Sequence, residues 1–152
     1  MAVYIADNAT VVGSVILGEN VSIWYGAVLR GDSGTITIGA GTNIQDNCVV
    51  HEKTTLGRYC TVGHGAIVHG CTVGDNTTIG MGAIVLDGAV IGSNCIVGAG
   101  ALVTGKLNAP DGSLVLGNPA KVVKEVTPEQ VSGNAQNATH YVELAKNALT
   151  ER

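Results

Sequence analysis

An aliphatic residue returns every six positions along most of this chain. The series runs Ile5, Val11, Leu17, Ile23 and Leu29, then Ile38, Ile44, Val50, Leu56, Val62 and Val68. After a step of five it resumes as Val73, Ile79, Val85, Ile91, Val97 and Val103. The off-register segment GDSGTIT at 31–37 separates the first two runs. A period of six fits neither the 3.6-residue period of a helix nor the alternation of a hairpin. A unit this short buries no core alone and must stack on its neighbours, so the pattern predicts a solenoid.

The residue four places after each aliphatic one is usually small, as at Ala27, Cys48, Cys60, Ala66, Ala83, Cys95 and Ala101. It shares alternation parity with the next aliphatic position, so both point inward on one short strand. GEN at 18–20, GDN at 74–76 and GSN at 92–94 supply corners, because Gly and Asn tolerate unusual backbone angles. The fold expected is an all-β solenoid, a parallel β-helix. On these residues the chain resembles the hexapeptide-repeat family, which implies left-handed triangular coils of three hexapeptides. The hand comes from the resemblance alone, since parallel crossovers in general favour the right hand.

Phenylalanine is absent and there is one tryptophan, so Val, Ile, Leu and Ala must fill the interior. A net charge of −4 with eight basic residues gives no electrostatic basis for a nucleic-acid partner or an acidic membrane. No apolar run approaches the roughly 18 residues that cross a bilayer. The start, MAVYIADN, has no basic region followed by an apolar stretch, which points to a cytoplasmic protein. Cys48, Cys60 and Cys95 occupy inward small positions and Cys71 lies beside the five-residue step, with no CxxC spacing. They read as buried free thiols rather than disulfides or metal ligands.

A single domain is expected over 1–152: a β-helix over about 5–105, a crossover and strand over about 106–126, and a C-terminal helix over about 128–149. TPEQ at 127–130 marks the helix start, with Thr127 as cap, Pro128 in the first turn and Gln130 closing a capping box. Val131, Ala135, Ala138, Val142, Ala145 and Leu149 form the expected apolar stripe. Gly133 and Asn134 weaken the first turns, which makes helicity firmer from about 135.

Four histidines occur, and two of them, His51 and His69, are 18 residues apart and each follows an inward valine. On a regular coil they stack outward on adjacent rungs, about 4.8 Å apart at Cα, where two imidazoles can share a divalent ion. His64 lies near the preceding corner and completes such a site only from another subunit. That arrangement predicts metal sites between protomers, and three-fold symmetry gives three equivalent ones. Three neutral imidazoles and an open position form the ligand set of a catalytic zinc centre. A polar histidine ladder without metal is the alternative reading. His140, in the expected helix, reads as a surface or interface residue.

WYGAVLRGD at 24–32, NIQDN at 43–47, VHE at 50–52, VGHGAIVHGC at 62–71, IGMGAIVLDGAVIG at 79–92 and LVLGNPAKVVKEVT at 114–127 together resemble the gamma-class carbonic anhydrases and their short relatives. The resemblance spans essentially the whole chain. It implies a homotrimer with zinc, sometimes iron or cobalt, between subunits, and it makes His51, His64 and His69 the ligands. Arg30 and Asp32 match a motif that forms salt bridges across the subunit boundary. Gln45 and Asp46 match a pair in which the glutamine orients the reacting water and the aspartate supports the interface and polar network. Tyr141 matches a helix tyrosine that approaches the active site, and a core or interface tyrosine is the other reading. The chain departs from the archetype at Ser33, where a glutamate is usual, and at the compact HEKTT of 51–55, where an acidic loop is usual. Both departures fall on proton transfer, and adjacency to His51 does not by itself give Glu52 that role.

The activity implied is metal-dependent reversible hydration of carbon dioxide to bicarbonate, with Zn2+ as cofactor and Fe2+ or Co2+ as alternatives. Two other readings stand beside it. One is coenzyme A-dependent acyl transfer or thioester hydrolysis, common among hexapeptide proteins but typically served by one histidine as general base. The other is a non-catalytic metal-binding scaffold trimer.

Overall fold

The computed structural model describes residues 2–151. Short strands wind into a parallel β-solenoid of about six turns, and one helix follows at the C-terminus. One face of the prism is a ladder of Tyr4–Ile5, Ser22–Ile23, Asn43–Ile44, Thr61–Val62, Thr78–Ile79, Ile96–Val97 and Ser113–Gly117. The other two faces are joined by the long strands Thr10–Leu17 and Val28–Ile38, which run round a corner and contribute to both.

The phased aliphatic residues meet in register inside. Leu29 pairs with Val50, Val50 with Val68, Val68 with Val85 and Val85 with Val103, and all five are fully buried. Burying one such side chain contributes about 1.5–3 kcal/mol, so the column is a principal source of cohesion. The five-residue step shortens one rung without breaking the stack: Thr72 pairs with Thr55 and Thr78 with Thr61. The segment GDSGTIT does not interrupt its strand either. Arg30 pairs with His51 and Ile36 with Thr54, so the intervening residues bulge outward from the corner. Gly31 is required there, since a Cβ would lie 2.3 Å from the Ser14 carbonyl oxygen of the preceding coil.

All four cysteines are buried free thiols, as their positions suggested. The Cys48 and Cys60 thiols donate to the Gly63 and Gly74 carbonyls at 2.9 Å, and burial pushes both up to about 11 and Cys71 to about 12.

The coil runs past residue 105. Asn108–Ala109 pairs with Val90–Ile91 and Ser113–Gly117 with Ile96–Val97, after which Ala120–Glu125 turns back antiparallel on Ser113–Gly117. The helix spans Pro128–Thr150 and opens with the expected reciprocal capping box between Thr127 and Gln130. Its buried face differs from the apolar stripe. Ala135 is exposed, whereas Asn134, Ala138, Val142 and Ala145 are buried. Asn134 accepts from the Thr78 hydroxyl at 2.8 Å and donates to the Asn76 and Cys95 carbonyls at 3.0 and 3.1 Å. The first turns are thus docked through hydrogen bonds, which offset the weak local propensity around Gly133. Nearer its end the helix packs against Tyr4, Ala6 and Trp24. No helix among the described residues is long and apolar enough to cross a membrane.

Candidate metal centre

His51 and His69 are register partners on Val49–His51 and Ile67–His69. Val50 and Val68 point into the core, so strand alternation turns both imidazoles outward, with ring centroids 5.3 Å apart. Their Nδ1 atoms are already engaged. His51 Nδ1 lies 2.7 Å from the Arg30 carbonyl oxygen, and His69 Nδ1 contacts Asp87 Oδ1. A carbonyl only accepts, so His51 Nδ1 carries a proton, and in the neutral ring Nε2 is the nitrogen with the lone pair. Glu52 Oε1 stands 3.4 Å from that Nε2. One ligand atom from each of His51, Glu52 and His69 falls within a span of 4.8 Å. Imidazole nitrogens with a carboxylate oxygen suit zinc and neighbouring divalent transition ions, so the donor set fits the metal that the sequence implies.

His64 is not part of that cluster. It sits in the turn between Thr61–Val62 and Ile67–His69, half exposed, with Nδ1 3.1 Å from Asp46 Oδ1. There it lines a cleft of about 330 Å³ together with Gln45, Met81, Asn137 and Tyr141. Gln45 is buried and donates through Nε2 to Asn43 Oδ1 at 3.1 Å. Asn43 in turn donates through Nδ2 to the Cys60 carbonyl at 3.3 Å and to Thr61 Oγ1 at 3.0 Å. The carbonyl fixes which end of Asn43 is the donor, and the relay therefore leaves the Gln45 carbonyl oxygen as the acceptor end. Tyr141 packs edge-on against Trp24 with centroids 5.6 Å apart. Burial raises its hydroxyl above the ordinary phenol value, and the Asp46 carboxylate pushes the same way.

The bulged corner brings Asp32 Oδ1 to 3.9 Å from His51 Nδ1, and Arg30 Nη1 meets Asp32 Oδ2 at 3.0 Å. The hydrogen bond from Arg30 holds the exposed Asp32 carboxyl below its usual range. Within one chain, then, Arg30 and Asp32 join His51 and His69, whereas Gln45, Asp46 and Tyr141 gather around His64. His140 is exposed on the helix and belongs to neither group. Sequence reasoning missed Asp87 and Asn43. Asp87 stands one shortened rung beyond Gly70 and was reachable only by counting rungs with the five-residue step included, whereas Asn43 shares its strand face with Gln45 two residues away.

A column of branched side chains flanks the histidines on the same outward face. Val28, Val49, Ile67, Ile84 and Leu102 are in register, each partly exposed.

A family model described as the GMPPB C-terminal domain matches residues 32–132, most of the coil. The chain is 51% identical over 148 residues to "Probable carbonic anhydrase" of Methanocaldococcus jannaschii, covering 95% of this chain and 93% of that protein. It is 45% identical over 153 residues to "Gamma carbonic anhydrase 1, mitochondrial" of Arabidopsis thaliana, covering 94% of this chain and only 56% of the length of that relative. Among solved structures, a putative acetyltransferase from Bacillus cereus superposes with a TM-score of 0.95 at 38% identity, covering 99% of this chain and 90% of that one. High identity along nearly the full length of the archaeal relative, together with the histidine pair on successive rungs, establishes that the chain belongs to the gamma carbonic anhydrase family of hexapeptide-repeat proteins.

Proposed function

We propose that this chain catalyses the reversible hydration of carbon dioxide to bicarbonate as a homotrimer with a divalent ion between subunits. His51 and His69 of one protomer and His64 of the next would hold the ion through their Nε2 atoms, with Zn2+ the leading candidate and Fe2+ or Co2+ the alternatives. The observation that carries the reading is the pair of imidazoles on adjacent rungs, each with Nδ1 committed to an oxygen and Nε2 left for a ligand. Assembly is supported by the position of His64 apart from the pair, and by the partly exposed apolar column that flanks the pair. That column is the kind of surface a second copy buries.

The bound ion supplies Lewis acidity, which brings the ionisation of water toward neutral pH. The remaining work belongs to the side chains. Gln45 presents its carbonyl oxygen as a hydrogen-bond acceptor that orients the attacking water, held by the Asn43 relay. Asp46 keeps the His64 imidazole in place, and Tyr141 closes the helix side of the cleft. Met81 and Ala99 give the cleft an apolar wall suited to carbon dioxide. Arg30 and Asp32 brace the corner over which His51 is fixed.

The test is stopped-flow hydration by anaerobically prepared protein loaded separately with zinc and ferrous iron, against metal-free protein and His69→Ala. Metal-dependent acceleration that H69A abolishes, along with tight metal binding, is the expected result. Full activity in metal-free mutant protein refutes the mechanism. The likeness to a putative acetyltransferase structure keeps acyl transfer from coenzyme A as a second reading, and absence of coenzyme A binding in a titration counts against it. Bound metal without turnover would instead favour a scaffold.

A further inference from the structure

The two stacked histidines are held differently, and the difference has a chemical consequence. The acceptor for His51 is a main-chain carbonyl, delivered by strand pairing whatever side chains surround it. For His69 the acceptor is a side chain, Asp87, from the turn that follows Ile84–Val85 on the next rung. We infer that Asp87 is a positioning residue for His69: it keeps the imidazole in the Nδ1–H form and directs Nε2 toward the ion. The inference rests on the metal-centre reading above.

The local backbone is arranged around this contact. Gly70, directly after His69, donates its N–H to the His51 carbonyl at 3.0 Å and accepts from the Gly88 N–H at 3.0 Å. Three successive rungs are therefore locked together at one corner, and the residues beside the two locks are His69 and Asp87. Gly70 has φ +63°, and a Cβ there would lie 2.6 Å from Asp87 Oδ2. The carboxylate thus occupies space that only glycine leaves open. Its side chain is 62% exposed, so burial does not explain its placement. A carboxylate acceptor fixes ring orientation and also raises the basicity of the opposite nitrogen, which strengthens it as a ligand. Removing such a partner typically weakens metal affinity by about 10–100-fold.

The experiment compares wild type, Asp87→Ala and Asp87→Asn. Long-range 15N imidazole spectra of the metal-free proteins, recorded at a pH where the ring is neutral, read the tautomer of His69 directly. Cobalt titration followed by visible absorption reads the dissociation constant. Expected are the Nδ1–H form in wild type, a shift toward Nε2–H in D87A, and a cobalt dissociation constant about 10–100-fold weaker in D87A. D87N keeps an accepting oxygen and is expected to retain the Nδ1–H form with an intermediate constant, which serves as the test if D87A fails to fold. Nε2–H in the wild type, or an unchanged tautomer or unchanged cobalt affinity in D87A, overturns the role of Asp87. A wild-type protein that binds no cobalt overturns the metal-centre reading itself, whatever the tautomer.

Discussion

Val68→Ala tests the inner column and separates it from the outer one. Val68 is fully buried between Val50 and Val85, with the small Ala66 and Ala83 beside it in the same core. Truncation removes two methyl groups, a transfer loss of about 1.6 kcal/mol at roughly 0.8 kcal/mol each. The void cannot close freely, because the neighbouring strands are pinned by Val49 N–H to the Ala66 carbonyl at 3.0 Å and Ile67 N–H to the Ala83 carbonyl at 2.9 Å. About 40 Å³ of residual cavity at ~24 cal/mol per Å³ adds close to 1 kcal/mol. The expected total is about 2–3 kcal/mol in urea unfolding with an unchanged slope, at fixed protein concentration. Ile67→Ala, one residue away but facing outward, should instead lower the midpoint chiefly at low protein concentration, because it weakens association of copies. A cost below about 1 kcal/mol for V68A, or the same concentration dependence in both variants, refutes the reasoning.

The buried thiols carry a pH prediction. Burial raises Cys48 and Cys60 to about 11 and Cys71 to about 12 from an ordinary 9.0, so the native state holds these protons more tightly than the unfolded chain. Their stabilising contribution is complete below about pH 9 and is lost as pH rises toward 11–12. Urea midpoints should therefore fall between about pH 8 and about pH 10.5, less so in Cys71→Ala, and a flat profile speaks against it. Asn134→Ala strips the helix start of three hydrogen bonds and should cost about 2–3 kcal/mol. Faster proteolysis within 128–140 is the readout, and wild-type resistance would show that Asn134 does not dock the helix.

The periodicity made the solenoid and the His51–His69 stack legible, because a six-residue period ties side-chain direction to residue number. Its reach ended where composition changed. Beyond 105, Lys106, Asn108 and Asp111 blur the aliphatic phase, yet backbone pairing carries the coil on to Ser113–Gly117. Helical spacing suggested Ala135 for the buried face, but Asn134 takes that role because the coil edge offers carbonyls and a hydroxyl rather than an apolar surface. Asp87 and Asn43 were hidden for a different reason. Their roles lie in side-chain hydrogen bonds: Asp87 reaches His69 across a rung where the step near Cys71 shifts the count by one, and Asn43, two residues from Gln45, shows its part only through the bonds that orient it. Glu52 was visible beside His51, but its approach to Nε2 depends on a left-handed backbone, φ +61°, that the letters alone do not specify.

The separation of His51 and His69 is one inter-strand spacing, set by the hydrogen-bond lattice and repeated at every rung of the face. A ligand pair built this way behaves like two pegs on a board with a fixed pitch. Packing changes in the interior leave the pitch alone, whereas two outward substitutions move the pair. Leu86 occupies the next peg along, following Val85 as His69 follows Val68, so Leu86→His with His51 replaced would transfer the pair by one rung. The fold thus separates where an ion can sit from how the core is filled, and site and stability can change independently in this architecture.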